Sequence, residues 1–303
     1  MTKRMASRAA LASIVFALSA CGGSNGGVAV TPPPAPPPPP PPVSGYTRFA
    51  DLTGTTVVQT AAIKYSGTID SFQNFQPQSF GGGSTITYNA TDNSYTVTPV
   101  GGTAVTFTQA NLIGLGGGVS EYLNGTNRLF FNTPAAGGVA LSYTRLGSFQ
   151  TPGTGGRTNI ELLVGGVPTR ANDMPRTGAA AYTVAIDGTA IRNGIPITVA
   201  GNSSASFNAN FATGVIDLAL RFGGATTAAL ATANGAGTIS STGSGFAGTF
   251  TSGVNITSGS FNGSFFGPQA AEVGFNYSLV GPSFSAVGQG AGVKVTPPPP
   301  PPP

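Results

Sequence analysis

No histidine occurs anywhere in the 303 residues, and cysteine occurs once, at Cys21. The first absence removes every Ser-His-Asp and Cys-His catalytic arrangement and every histidine-containing metal set. The second removes intramolecular disulfides, so stability must come from packing and hydrogen bonds. Charge is scarce as well, at 7% of residues. Beyond the first twenty positions the only lysines are Lys64 and Lys294, and neither stands in a Ser-x-x-Lys motif. A carboxylate pair for glycoside hydrolysis would have to come from Asp51, Asp70, Asp92, Glu121, Glu161, Asp173, Asp187, Asp217 and Glu272. Several of these fall where hairpin turns favour Asp. Catalysis needs convergent, perturbed ionisable groups, and the chain reads as a non-enzyme with no cofactor. The triplets Gly81-Gly82-Gly83 and Gly116-Gly117-Gly118 lack the Gly-Lys-Ser/Thr ending of a phosphate loop and read as turns.

A long apolar run is missing too. The stretch Ala9 to Leu18 is about ten residues, where a membrane-crossing helix needs roughly 20. It follows Lys3, Arg4 and Arg8 and precedes Ser19-Ala20, the layout of an exported leader, residues 1–20, with a small-residue cleavage site. Leu18-Ser19-Ala20-Cys21 resembles the lipobox of bacterial lipoproteins, in which the cysteine thiol takes a diacylglycerol and its amine a further acyl chain such as palmitate. Two or three acyl chains hold a protein durably on a membrane where one does not. Cleavage would remove three of thirteen basic residues and none of nine acidic ones, leaving ten against nine, a net charge of +1. Such a surface offers nothing to nucleic acid, whose phosphates require concentrated positive charge. Residues 21–45 read as a linker, flexible through Gly22 to Gly27 and stiff from Pro32 to Pro42. Those eleven positions reach about 34 Å as a polyproline II spacer at roughly 3.1 Å each. Residues 295–303 form a second polyproline tract.

Between the proline tracts, short alternating runs are separated by Gly, Asn and Asp, the pattern of antiparallel strands joined by tight turns. Ser84 to Tyr88 and Tyr95 to Thr98 read as a hairpin, with further strands at Ala104 to Thr108, Arg128 to Asn132, Val139 to Arg145 and Asn159 to Val164. In the second half, Ala179 to Asp187 reads as a strand ending in the Asp187-Gly188 turn, followed by Ser206 to Phe211 and Val215 to Phe222. Phe207, Ala209 and Phe211 share one strand face, and Ile216, Leu218, Leu220 and Phe222 share another, as expected for one side on a core and one in solvent. Gly245 to Thr251 and Ser260 to Phe266 alternate glycine with phenylalanine, which suits a coiled sheet that bends and closes. Residues 172–294 are therefore expected to form a barrel of about eight strands.

Two stretches carry a family likeness. Met174, Pro175, Gly178 and Tyr182 open the second half, and Phe265-Phe266-Gly267-Pro268-Gln269-Ala270-Ala271-Glu272-Val273-Gly274 closes it. Together they resemble the start and end of the barrel in transferrin-binding protein B-like surface lipoproteins. Tyr143 to Phe149 resembles the strand before that barrel. The chain departs from the family pattern at Phe275, where a second glycine is usual, and has length for one lobe where the transferrin-binding members have two. The resemblance implies an all-β fold, with an N-terminal mixed β handle-like domain (46–171) followed by a C-terminal antiparallel eight-stranded β-barrel (172–294). It implies a lipid-anchored outer-membrane protein, exposed at the cell surface by a Slam-type translocator, that captures a protein or metal-carrying ligand for an outer-membrane receptor. The alternative is a structural or adhesive envelope lipoprotein with no solute cargo. On its own residues, Pro268 can start one helical turn across the barrel mouth with Glu272 close by, a packing role. Haem capture without histidine would need tyrosine or methionine as iron ligand, the tyrosines including Tyr122, Tyr143 and Tyr182, although tyrosine is more often a half-buried strand residue.

Overall fold

Alternating apolar side chains bury one face of a strand only if a second layer covers it, and both halves of the chain meet that demand with sheets. The computed structural model describes residues 45–68, 70–223 and 229–295. The leader, Cys21, the proline spacer and the polyproline tail lie outside the described residues.

The first half contains β1 (Thr55–Val58), β2 (Thr60–Thr68), β3 (Ser71–Gln78), β4 (Thr85–Asn89), β5 (Ser94–Thr98), β6 (Val105–Phe107) and β7 (Leu112–Gly116). It continues with β8 (Val119–Asn124), β9 (Asn127–Asn132), β10 (Ala135–Ala136), β11 (Val139–Ala140), β12 (Thr144–Pro152) and β13 (Thr158–Gly166). These make a four-stranded sheet, β1-β4-β5-β6, a seven-stranded sheet, β3-β2-β13-β12-β9-β8-β7, and the small β10–β11 ladder. The described ladders here are all antiparallel. The two larger sheets close over a core of Phe49, Ile86, Tyr95, Val97, Phe107, Tyr122, Leu129, Phe131 and Phe149. The run expected as one strand from Val139 to Arg145 is broken: Leu141 to Tyr143 leave the ladder and lie against the second half of the chain.

The second half contains β14 (Ala179–Arg192), β15 (Ile195–Thr198), β16 (Ser203–Asn210), β17 (Val215–Phe222), β18 (Ala231–Ile239), β19 (Gly245–Ser252), β20 (Ser258–Phe266), β21 (Glu272–Val280) and β22 (Phe284–Lys294). Eight of them, β14 and β16 to β22, form an antiparallel barrel closed by β14 against β22, and β15 adds a hairpin to the far end of β14. Closure leaves no edge along the barrel. The β14 strand does not end at Asp187-Gly188, where a turn was expected. It runs on to Arg192 because Gly188, at φ +148°, lets the strand bend while keeping its register with Gly288.

Eight strands enclose a bore that side chains just fill. Phe207 sits at its centre, with ring centroids 5.5 Å from Tyr182, 5.4 Å from Phe246 and 5.7 Å from Phe275. Glycine makes the room for these rings. A Cβ on Gly290 would fall inside the Phe275 ring, and one on Gly248 would strike both the Phe261 ring and the Ala236 carbonyl.

Candidate functional site

The barrel strands β20 and β21 should show polar residues to water on their outer face, yet Asn262, Ser264, Glu272, Asn276 and Ser278 are all buried. The first half covers them, with β2 and β13 lying across these strands. Polar groups removed from water must find partners, and these do. Asn262, Asn276 and Gln289 stand side by side in the ladder. Gln289 Nε2 donates to Asn276 Oδ1 at 3.0 Å and to Leu163 O at 2.9 Å. Asn276 Nδ2 donates to Ala61 O at 3.0 Å, and Asn262 Nδ2 donates to Ala62 O at 2.8 Å and Gln78 O at 2.6 Å. This amide ladder fastens the barrel wall to backbone carbonyls of the other half.

The residues singled out by motif cluster at the same joint. Phe265 points into the barrel core, while its neighbour Phe266 points outward among Leu141, Leu146, Val164 and Ala291. Gly267, at φ +69°, lets the Tyr143 ring lie on the backbone where any Cβ would collide with it. Pro268 opens a single 3-10 turn, Pro268–Ala270, whose Ala270 is sealed in the barrel core and accepts the Tyr182 hydroxyl at 2.7 Å. Met174 packs into that core, whereas Gly178 sits at φ +73° beside the start of β14, after Pro175. Gly274 permits close approach, since a Cβ there would lie 2.7 Å from Val164 and 2.8 Å from Thr144. Glu272, 5% exposed, reaches away from the barrel mouth. It accepts the backbone N–H groups of Ser142 at 2.6 Å, Tyr143 at 3.0 Å and Thr144 at 2.8 Å, and the Thr144 hydroxyl at 2.9 Å. That use of the carboxylate is what takes Leu141 to Tyr143 out of the β-ladder. Arg145 follows, donating to Leu141 O and Thr144 O and lying 4.6 Å over the Phe49 ring. Burial pulls its pKa below the ordinary value, with the Glu272 carboxylate acting against that pull.

Other ionisable groups are tied into local structure. Glu121 pairs with Arg128 at 2.6 Å, and Asp173 accepts the Gln269 N–H at 2.9 Å. No group of three or more cysteine, aspartate or glutamate side chains able to hold a metal occurs among the described residues. Tyr122 and Tyr182 are buried, which raises the pKa of each and disfavours the tyrosinate that would bind iron. Tyr143 has its ring against Gly267 and edge-on to Tyr46 at 6.1 Å.

On the first half of the chain a groove of about 580 Å³ runs between β2–β3–β13 and the β5–β6 loop, with Lys64, Tyr65, Gln76 and Asn159 among its lining residues. Smaller concavities open between the halves, near Gly147 and Gly288, and at the barrel end beside Phe222 and Phe284, at about 310 and 200 Å³. Exposed apolar side chains on the first half include Val100 at the groove lip and Ile113 and Leu115 on the edge strand β7. Nothing local in the chain pointed to the groove, because its walls come from six strands and a loop that are distant in sequence.

No family model matches the chain, and no curated protein matches it. Among solved structures it is similar to transferrin-binding protein B from Haemophilus parasuis, at 16% identity and a TM-score of 0.47 over 78% of this chain and 45% of that one. It is similar to isotype 1 transferrin-binding protein B from serogroup B Neisseria meningitidis, at 18% identity and a TM-score of 0.48 over 78% of this chain and 44% of that one. The N-lobe of lactoferrin-binding protein B from Moraxella bovis is matched over 80% of this chain and 100% of that one, at 13% identity and a TM-score of 0.33. The chain thus spans less than half the length of the first two proteins.

Proposed function

We propose that this chain is a lipid-anchored surface protein of the transferrin-binding protein B-like type, which captures a protein or metal-carrying ligand on its handle-like half and offers it to an outer-membrane receptor. The handle corresponds to residues 46–171 and the barrel to residues 172–294. The observation that carries the reading is the joint. A barrel packed along its bore, with a cavity of only about 200 Å³ at one end, and clasped by the Glu272 carboxylate and the amide ladder is a rigid pedestal, so recognition of a protein-sized cargo falls to the outer surface of the handle. Cys21 supplies the acyl anchor and the proline spacer holds the body off the membrane. A Slam-type translocator would carry the protein to the cell surface.

Protease treatment of intact cells tests display, and pull-down from host fluid with the purified protein tests capture. Digestion of the protein on intact cells, its loss from the membrane fraction in Cys21→Ala, and a saturable partner are the expected results. Resistance to protease until the outer membrane is opened, with no partner recovered, would leave the structural or adhesive envelope role instead.

A further inference from the structure

The handle groove has a chemistry of its own, which protein capture does not require. Its volume of about 580 Å³ lies in the range of small-ligand pockets, about 300–1,000 Å³. Its charged lining residues are Lys64 and Glu161, and they neutralise each other at 3.7 Å. Both are further engaged: Lys64 Nζ donates to Val100 O at 3.2 Å, and Glu161 accepts the Ser84 hydroxyl at 2.5 Å. An anionic ligand therefore finds no uncompensated cation there. The amides of Asn74, Gln76 and Asn159 stand exposed along the walls, between the apolar side chains of Tyr65, Phe149 and Ile160, and Asn159 Nδ2 donates to Pro152 O at 3.3 Å. Side-chain amides present donors and an acceptor side by side, which matches hydroxyl groups that must both donate and accept. The backbone has been shaped to bring one of them in. The β2–β3 register slips between Lys64 and Ser66, so Asn74 sits in a bulge at φ 58° opposite Tyr65. Bulges of this kind re-aim side chains beside functional sites.

We infer that the groove binds a neutral oligosaccharide, either free or carried on a glycoprotein. The side-chain amides take up the hydroxyls, Tyr65, Phe149 and Ile160 offer apolar surface to the sugar rings, and the lip formed by Pro99 to Thr103 encloses the chain of sugars from one side. This site is independent of the protein-capture reading and stands or falls by a different measurement.

The full-length protein is titrated calorimetrically with maltohexaose, chitotetraose and a free high-mannose oligosaccharide. It is also titrated with ribonuclease B, which carries a high-mannose glycan, and with its unglycosylated form. Saturable binding of at least one sugar probe with Kd of about 1 mM or tighter is expected. The double substitution Gln76→Ala/Asn159→Ala, at two exposed positions, should weaken it by about tenfold or more while leaving the circular dichroism and melting temperature unchanged. Leu115→Ser, on the β7 edge, should leave it intact. Binding of ribonuclease B alone would assign the sugar to a glycoprotein, provided the double substitution removes it. No saturation with any probe, equal binding of both ribonuclease forms, or binding undiminished by the double substitution would overturn the assignment.

Discussion

Glu272 concentrates the stability of the joint in one side chain. Its two oxygens receive three backbone N–H groups and a hydroxyl in a site almost closed to water. Glu272→Ala leaves those donors buried and unpaired, at about 1–3 kcal/mol each where water cannot enter. A total loss of about 3–5 kcal/mol and a melting temperature lower by roughly 10 °C are expected in thermal unfolding. Glu272→Gln should recover little, because its NH2 group faces donors. Tyr277 gives a second residue-scale expectation. Burial, with Asp187 adding to it, raises its pKa in the folded protein above the usual tyrosine value of about 10. Below that pH both states keep the proton and stability is full. Above it the unfolded chain ionises while the folded one does not, so stability falls as pH rises toward the folded value. Tyr65, Tyr95 and Tyr182 act the same way through burial. Denaturant titrations from pH 9 to 12 should show that decline, and Tyr277→Phe should flatten it by about 1.4 kcal/mol per pH unit. An equal slope in wild type and variant would refute the assignment.

At the scale of the strand, the pairing of glycine with phenylalanine is what the sequence displayed most clearly. Gly248 stands against Phe261, Gly290 against Phe275, and Gly235 lies 2.7 Å, measured from its would-be Cβ, from the Phe250 ring. Gly248→Ala pushes a methyl into both a ring and a carbonyl of the neighbouring strand, so repacking cannot relieve it. A loss of about 1–3 kcal/mol is expected, measured by urea unfolding, against almost none for Gly243→Ala, whose would-be Cβ meets open space. The hairpins from Thr85 to Thr98 and from Ser203 to Phe222 were legible because alternation and turn residues are local signals. The course of β14 was not. An Asp-Gly pair ordinarily turns a chain, and only its long partner β22 holds Gly188 in the ladder. The polar face of β21 was unreadable for a related reason. Asn276 and Glu272 alternate with apolar residues as solvent-facing positions do, and no local feature reveals that another sheet will cover them.

For the whole molecule, handle and barrel belong to a single compact unit. The clasp, the amide ladder and the shared cluster around Phe266 should make them melt together. Calorimetry is expected to show one cooperative transition with equal calorimetric and van't Hoff enthalpies. Two resolved transitions in the wild type would mean that the joint is weaker than its hydrogen bonds indicate. The sequence by itself determined that the fold is all β, that a closed barrel occupies its second half, and that histidine-dependent catalysis is impossible. Those conclusions follow from composition and from the two-residue period of a pleated strand, both local properties. Only the tertiary structure decided that the closing motif serves as a clasp between two sheets, that polar side chains on two barrel strands are interior, and that a neutral groove opens on the handle. Each depends on residues far apart in the chain, as Glu272 and Thr144 are. Burial of a polar group is settled by what comes to lie over it, which no single stretch of chain contains.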